Sequence, residues 1–538
     1  MKHMKKLTSL LLMLIMIMSL ATTAFAATVT VSSDAILQGH TFTAYQVFSG
    51  REENGVLSDV QWGSGIDSTT FLAALKADTA YGNLFNTCTS AAEVAAVLST
   101  NTSNTALANQ VAKLAEKNKT GTGTALTVGQ NTIADGYYLI VDTTGNVGAG
   151  GAYNAALLQV VGNINITAKT DAPSVEKKVL ENVKYKANDG YGAGYNDVAD
   201  YNMGDAVPFH LIGLVPDMSR YDTYKYIFHD TLSAGLTPPA AASVKVYLSA
   251  DKAVGGDTDV TSNFNVTVAG QEITVSSDDI KVISGIAQNM YIIVEFTAVL
   301  NQSAVVGLDG NPNEVYLEYS NRPDQSGSGD TNNTGKTPED KAIVFTYKLD
   351  VTKVDGQNTA TKLKDAEFVL LNSGKTKVAK ITNGKFDGWL NIPAAGADGK
   401  IPWPTSSILT SGTDGLFSVT GLDDGTYYLR EIKAPAGYNM LTADIKVIIT
   451  ATTSNGQTWT DFLASSALTG LAVTADNVAG TGNINTGIAA ITIANNAGSI
   501  LPTTGATGTT IFYVLGSVLL VAAIVLLVTK KRMRRFDK

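Results

Sequence analysis

Along most of the chain, apolar residues fall at every second position. In the 343–353 run, Ile343, Phe345, Tyr347, Leu349, Val351 and Lys353 share one face, and Val344, Thr346, Lys348, Asp350 and Thr352 share the other. Many such runs are short, rich in Val, Ile, Thr and Tyr, and separated by Gly, Asn and Asp. That pattern predicts an all-β chain of tandem sandwiches. Residues 91–118 differ, with Ala, Val, Leu, Lys and Glu at helical spacing, and predict a helix. Two further stretches are apolar without alternation, one from position 10 to 20 and one from 511 to 528.

The flanks of these two stretches say what each predicts. The first follows Lys2, Lys5 and Lys6 and ends in Ala24-Phe25-Ala26 before Ala27. A basic start, a short apolar run and an A-x-A site make residues 1–26 a secretory signal, cut between Ala26 and Ala27. The second is long enough to span a bilayer as a helix, and Lys530, Lys531, Arg532, Arg534 and Arg535 behind it would stay inside. Leu501-Pro502-Thr503-Thr504-Gly505 precedes it. This order, in the 501–538 segment, resembles the cell-wall sorting signal of Gram-positive surface proteins. The resemblance implies that a sortase cuts between Thr504 and Gly505 and joins Thr504 to an amine.

Composition removes several functions. The ends carry nine of the 39 Lys and Arg and one of the 48 Asp and Glu, so the remainder has a formal charge of −17. Such a chain repels phosphates, and no nucleic-acid partner is expected. Cys88 is the single cysteine, which excludes an internal disulfide, a four-cysteine zinc site and a CxxC redox pair. His3, His40, His210 and His229 show no metal-ligand spacing, and GxSxG, HExxH and P-loop motifs are absent. Neither an enzyme nor a metal or cofactor is expected. An exported chain of this size without disulfides needs another stabiliser.

Domain limits follow from composition. Ala172-Pro173 follows a strand-like run, and 322–341 is polar and contains Ser326-Gly327-Ser328-Gly329. The expected units are 27–170, 171–335 and 336–500. In the last, alternation aims Lys353 into the core, and the same parity turns Glu431 inward with Tyr427 and Leu429, and Asn495 inward with Ile491 and Ile493. A buried lone lysine costs several kcal/mol or loses its proton. A neutral amine can attack a carboxamide carbon while a protonated carboxyl polarises the carbonyl and moves protons. A buried salt bridge with a hydrogen-bonded Asn is the plainer reading of the same residues.

Tyr428-Leu429-Arg430-Glu431-Ile432-Lys433-Ala434-Pro435-Ala436-Gly437-Tyr438 resembles the E-box of Gram-positive pilins, LxExxAPxGY. Lys353-Val354-Asp355, Asp365-Ala366-Glu367-Phe368 and Asn495-Asn496-Ala497-Gly498 are similar to the opening and closing of a collagen-adhesin B-type domain. The resemblance implies an autocatalytic isopeptide Lys353–Asn495 assisted by Glu431. The second unit resembles the fimbrial D2 domain, an A-type relative, through Val175-Glu176-Lys177-Lys178-Val179 and 224–232. It implies Lys177 as the amine and Asp230 as the acid. Asn313 is the chosen partner, with Asn301 and Asn321 as alternatives. The whole is similar to the major (backbone) pilins of the SpaA type, with three tandem Ig-like β-sandwiches.

Lys169 closes the first unit on a polar face with Asn163, Asn165 and Thr167. Shaft pilins keep the lysine of their YPKN-like pilin motif at such a junction. Here the tetrapeptide is Thr167-Ala168-Lys169-Thr170, without the Tyr, Pro and Asn. The family implies as partners pilin-class and housekeeping sortases, other copies of the chain, minor pilins, a peptidoglycan precursor and a host surface ligand. A monomeric wall-anchored adhesin of the same fold is the competing expectation.

Overall fold

A computed structural model describes residues 26–33, 39–53, 56–154, 157–161, 164–166, 171–182, 190–323, 334–454, 457, 459–498 and 506–533. The alternating runs become strands of a multi-domain β-sandwich chain. The first unit is less purely β than its composition implies. Phe42–Glu53 pairs with Val56–Trp62, Thr124–Leu126 and Gly136–Asp142, and helices Ser68–Ala77, Ala91–Thr100 and Thr105–Lys117 cover this sheet. The helix expected over 91–118 is two helices, because the Asn101–Asn104 turn interrupts it and the Asn104 side chain caps the second. Ser90 and Glu93 form a reciprocal capping box on the first. The Asp67 side chain likewise caps the helix Ser68–Ala77, which the strand-biased reading missed. Phe71, Leu75, Val94, Leu107 and Val111 pack from the helices onto Tyr45, Phe48 and Leu139. Cys88 is buried among them, and burial pushes its thiol up. It is a core residue rather than a nucleophile.

In the second unit two sheets face each other. Val175–Leu180 lies between Tyr195–Asn196 and Ala206–Leu214, followed by Tyr291–Leu300 and Lys245–Ser249. Opposite it, Asn311–Ser320 lies between Asp340–Phe345 and Tyr226–Leu232. Phe209, Leu211, Phe296, Tyr226, Phe228, Val315 and Leu317 fill the space between.

The 343–353 run is two strands, Asp340–Phe345 and Tyr347–Asp355, which part at Thr346. The Thr346 hydroxyl donates to the Leu422 carbonyl at 3.2 Å, which fixes the break. The first piece completes a sheet of the second sandwich, yet only Ala342 and Val344 enter that core. Ile343 and Phe345 join the core of the third. One strand therefore serves both cores.

The third unit wraps around Phe368, Leu370, Phe386, Val419, Leu429 and Val447. Its first strand, Tyr347–Asp355, and its last, Ile488–Asn495, run side by side and parallel, with Lys353 opposite Ile493 and Asp355 opposite Asn495. The 392–411 insertion folds back, so that Trp403 packs beside Val369, Leu371 and Val378.

The units are in contact. The Asn202 Oδ1 accepts from the Asp423 backbone (3.0 Å) and the Tyr427 hydroxyl (3.2 Å), and the Tyr347 hydroxyl donates to Asp200 at 2.9 Å. Gly421 has φ +90°, and a Cβ there would meet the Met203 sulfur at 2.4 Å, so only glycine fits. On the other side, the Arg322 guanidinium lies 3.8 Å over the Tyr153 ring, and the Tyr319 hydroxyl donates to the Gly151 carbonyl. Helix Ala506–Met533 contains the candidate span Ile511–Arg532, whose most apolar 18 residues have a mean hydropathy of 2.9, long and apolar enough to cross a membrane.

Candidate functional site

Two centres of the same chemistry lie in the second and third sandwiches. In the third, alternation along Tyr347–Asp355 buries Tyr347, Leu349, Val351 and Lys353 in turn. The strand Gly425–Lys433 delivers Glu431 behind Tyr427 and Leu429, and Ile488–Asn495 delivers Asn495 behind Ile491 and Ile493. Lys353 is wholly buried, and Asn495 and Glu431 nearly so. The Lys353 ammonium nitrogen donates to Asn495 Oδ1, and to the Ile493 carbonyl at 3.3 Å. Asn495 Nδ2 donates to both Glu431 oxygens, at 2.9 and 3.1 Å, and the Leu441 amide donates to Glu431 Oε2 at 2.7 Å. Glu431 Oε1 stands 4.0 Å from Lys353 Nζ. Burial pushes the Lys353 amine down to about 8, against the pull of the Glu431 charge. At pH 7 roughly one amine in ten is then neutral.

In the second sandwich, Lys177 and Asp230 are both fully buried and in direct contact. Lys177 Nζ lies 5.5 Å from the Phe209 ring and 5.8 Å from the Phe296 ring, two rings that stack on each other. Burial lowers the Lys177 amine and raises the Asp230 carboxyl, so the pair is driven toward its neutral forms. Asn313 is fully buried on the strand beside Asp230, opposite Leu232. Its carboxamide faces the Asp230 carboxyl, yet neither its nitrogen nor its oxygen makes a hydrogen bond of ordinary geometry. A buried amide in that state is expensive to keep. Of the alternatives, the Asn301 carboxamide is engaged elsewhere, donating to the Ala234 carbonyl and the Thr237 hydroxyl. Asn321 is buried as well, and its backbone carbonyl accepts from the Tyr153 amide.

Other expected residues fall differently. Lys178 points away from Lys177 but is also buried, with Nζ 2.5 Å from Asp197 and 4.5 Å from the Tyr191 ring. His229 stacks on Tyr316 and meets Glu318 at 3.1 Å, as a hydrogen-bond partner rather than a base beside Asp230. Ala26 and Ala27 open the strand Ala26–Val31, opposite Ala134 and Ile133. Lys169, the pentapeptide Leu501, Pro502, Thr503, Thr504 and Gly505, and residues 1–25 lie outside the described residues.

Sequence reasoning missed the carboxylates of Asp200, Asp423 and Asp424, which gather at the joint between the second and third sandwiches within 4.8 Å of one another. Asp423 and Asp424 join the strands Leu416–Leu422 and Gly425–Lys433, which pair with other strands rather than with each other, and both are buried there. Burial, then the charges of Asp200, Glu181 and Asp424, hold the Asp423 carboxyl well above the usual range. Asp340 was also missed. It accepts the Lys177 backbone amide at 2.6 Å and fixes the height of that strand. No periodic signal marks either group, because the partners come from distant segments.

Parts of the chain match known families. Residues 347–461 match the SpaA family, a prealbumin-like fold domain, and 203–323 match a Gram-positive pilin backbone subunit 2, Cna-B-like domain. Residues 495–533 match the LPXTG cell wall anchor motif. The trypsin-resistant surface T6 protein of Streptococcus pyogenes serotype M6 is 23% identical over 298 residues, 52% of this chain and 46% of that protein. The match thus spans about half the length of that curated relative. The T6 backbone pilin of serotype M6 Streptococcus pyogenes, described as a modular three-domain structure, superposes with a TM-score of 0.51 at 17% identity. It covers 88% of this chain and 99% of its own, a likeness of fold. The chain thus carries a prealbumin-like SpaA domain, a Cna-B-like domain of the Gram-positive pilin backbone kind and an LPXTG cell-wall anchor motif.

Proposed function

We propose that the chain is the shaft subunit of a sortase-assembled covalent pilus, stabilised by two internal Lys–Asn amides. The observation that carries the reading is the pair of buried amine, carboxyl and carboxamide centres in one anchored chain. In the third sandwich the neutral Lys353 Nζ attacks Asn495 Cγ. Glu431 takes the proton from the amine and returns it to the departing nitrogen. A C–N bond forms, a C–N bond breaks, and ammonia leaves. Lys177, Asn313 and Asp230 carry out the same step in the second sandwich, a fimbrial D2-type unit, and the third is a B-type unit.

Between subunits, a sortase cuts Thr504 from Gly505 and transfers the Thr504 carbonyl to Lys169 of the next copy. The last subunit passes to a peptidoglycan precursor. The units 27–170, 171–335 and 336–500 are the working modules, with Asp340–Phe345 shared by the last two.

Immunoblots of wall extracts in hot detergent test the polymer. A ladder that collapses to a single species in Lys169→Ala is expected. A single monomer band from the wild type would leave a wall-anchored monomeric adhesin instead, the reading favoured by the missing Tyr, Pro and Asn around Lys169. A ladder that survives Lys169→Ala would assign the polymerising amine elsewhere.

A further inference from the structure

The reactive centre of the third sandwich has an open end, and one loop closes it. After Lys433 the chain leaves its strand, turns at Pro435, and returns so that the Leu441 amide binds Glu431. Gly437, at φ +86°, makes the turn. Tyr438 then pairs with Ala497, the Asn439 amide donates to the Asn496 carbonyl at 3.0 Å, and the Gly498 amide donates to the Gly437 carbonyl at 2.9 Å. These contacts hold the chain immediately after Asn495. The Tyr438 hydroxyl reaches the third partner strand and donates to Asp355 Oδ2 at 2.7 Å, two residues beyond Lys353. Asp355 lies opposite Asn495, and its other oxygen accepts the Gln357 and Asn358 amides. One residue thus pairs through its backbone with the segment just after the carboxamide and through its side chain with the strand of the amine, from the loop that holds the carboxyl.

We propose that Tyr438, through its hydrogen bond to Asp355, is a positioning residue that sets the rate of the Lys353–Asn495 amide step. The proposal rests on the amide reading given above. Attack requires the amine and the carboxamide carbon at near contact and in line, and small displacements cost large factors in rate. The backbone pairs fix the Asn495 strand lengthwise. The hydroxyl bond fixes the distance across to the Lys353 strand, and a hydrogen bond to a carboxylate is among the stronger ones available.

The test uses full-length chain made in a short cell-free pulse, quenched at intervals in denaturant, and digested for mass spectrometry. The Lys177–Asn313 crosslink in the same chain reports folding and serves as the internal standard. Tyr438→Phe is expected to slow the Lys353–Asn495 crosslink about tenfold relative to that standard, and Asp355→Ala to do the same. Asp355→Asn keeps an acceptor oxygen and is expected to restore most of the rate. A Tyr438→Phe chain that melts lower but crosslinks at the wild-type rate would overturn the positioning role, as would equal slowing in Asp355→Asn and Asp355→Ala. Absence of the Lys353–Asn495 crosslink from wild-type chain would instead overturn the amide reading itself.

Discussion

Replacing Glu431 by Gln removes the proton shuttle and leaves the shape of the centre nearly unchanged. The variant is expected to keep Lys353 and Asn495 side by side without joining them, so its intact mass should exceed the wild type's by one ammonia, apart from the substitution. The energetic consequence follows from chain topology. Lys353 and Asn495 are 142 positions apart. Treated like any covalent crosslink, closing a loop of that length removes roughly 5 kcal/mol of unfolded-chain entropy at 25 °C. The loss of the Glu431 charge adds to the deficit, because the buried amine then lacks its counter-charge. For a unit of this size, such a loss lowers the melting temperature by about 10–20 °C. Calorimetry of the full chain should show one transition moved down by that amount, while the transition of the second sandwich stays in place. A Glu431→Gln chain with the full ammonia deficit would refute the shuttle role. A chain that lacks the bond yet melts within about 3 °C of the wild type would refute the entropy argument.

The remaining expectations use the same measurements. Asp230→Asn should abolish the Lys177–Asn313 bond and leave Lys353–Asn495 intact, seen as the loss of a single crosslinked peptide pair. Asn495→Ala cannot crosslink, and burial is expected to keep its Lys353 amine pushed down to about 8, as in the parent chain, against the ordinary 10.5. Folding then releases a proton between those values, so stability should be lowest below pH 8 and climb by about 3 kcal/mol as pH rises toward 10.5. Denaturant midpoints across that range check the sign, and a midpoint that falls with pH would contradict it. Gly421→Ala should cost about 1–3 kcal/mol, through the Met203 clash and the positive φ, and should loosen the contact of the second and third sandwiches, read by limited proteolysis.

How much of this was legible depended on distance along the chain. Lys353, Glu431 and Asn495 could be placed because each ends a run whose period of two is strict, and burial kept that parity through the last residue. The break at Thr346 was hidden, since Ile343 and Phe345 on one side and Tyr347 and Leu349 on the other enter one core and so preserve a single apolar stripe. Short alanine-rich helices such as Ser68–Ala77 were lost among β-like neighbours, and only the Asp67 cap could have marked that one. The burial of Lys178 was invisible for another reason. A strand with partners on both faces loses its polar side, and the partner Asp197 belongs to a loop with no pattern of its own.

The parallel pairing of the first and last strands of the third sandwich has a mechanical meaning. In a fibre assembled as proposed, tension would enter at Tyr347 and leave after Asn495, at opposite ends of two adjacent strands. It therefore loads their hydrogen bonds all at once, along the strands, and cannot open them one by one. A covalent link between Lys353 and Asn495 would carry that load directly from the one strand to the other. The chain between them would then lie off the line of force, free to be as ornate or as variable as its loops allow, while the module keeps a fixed length under pull.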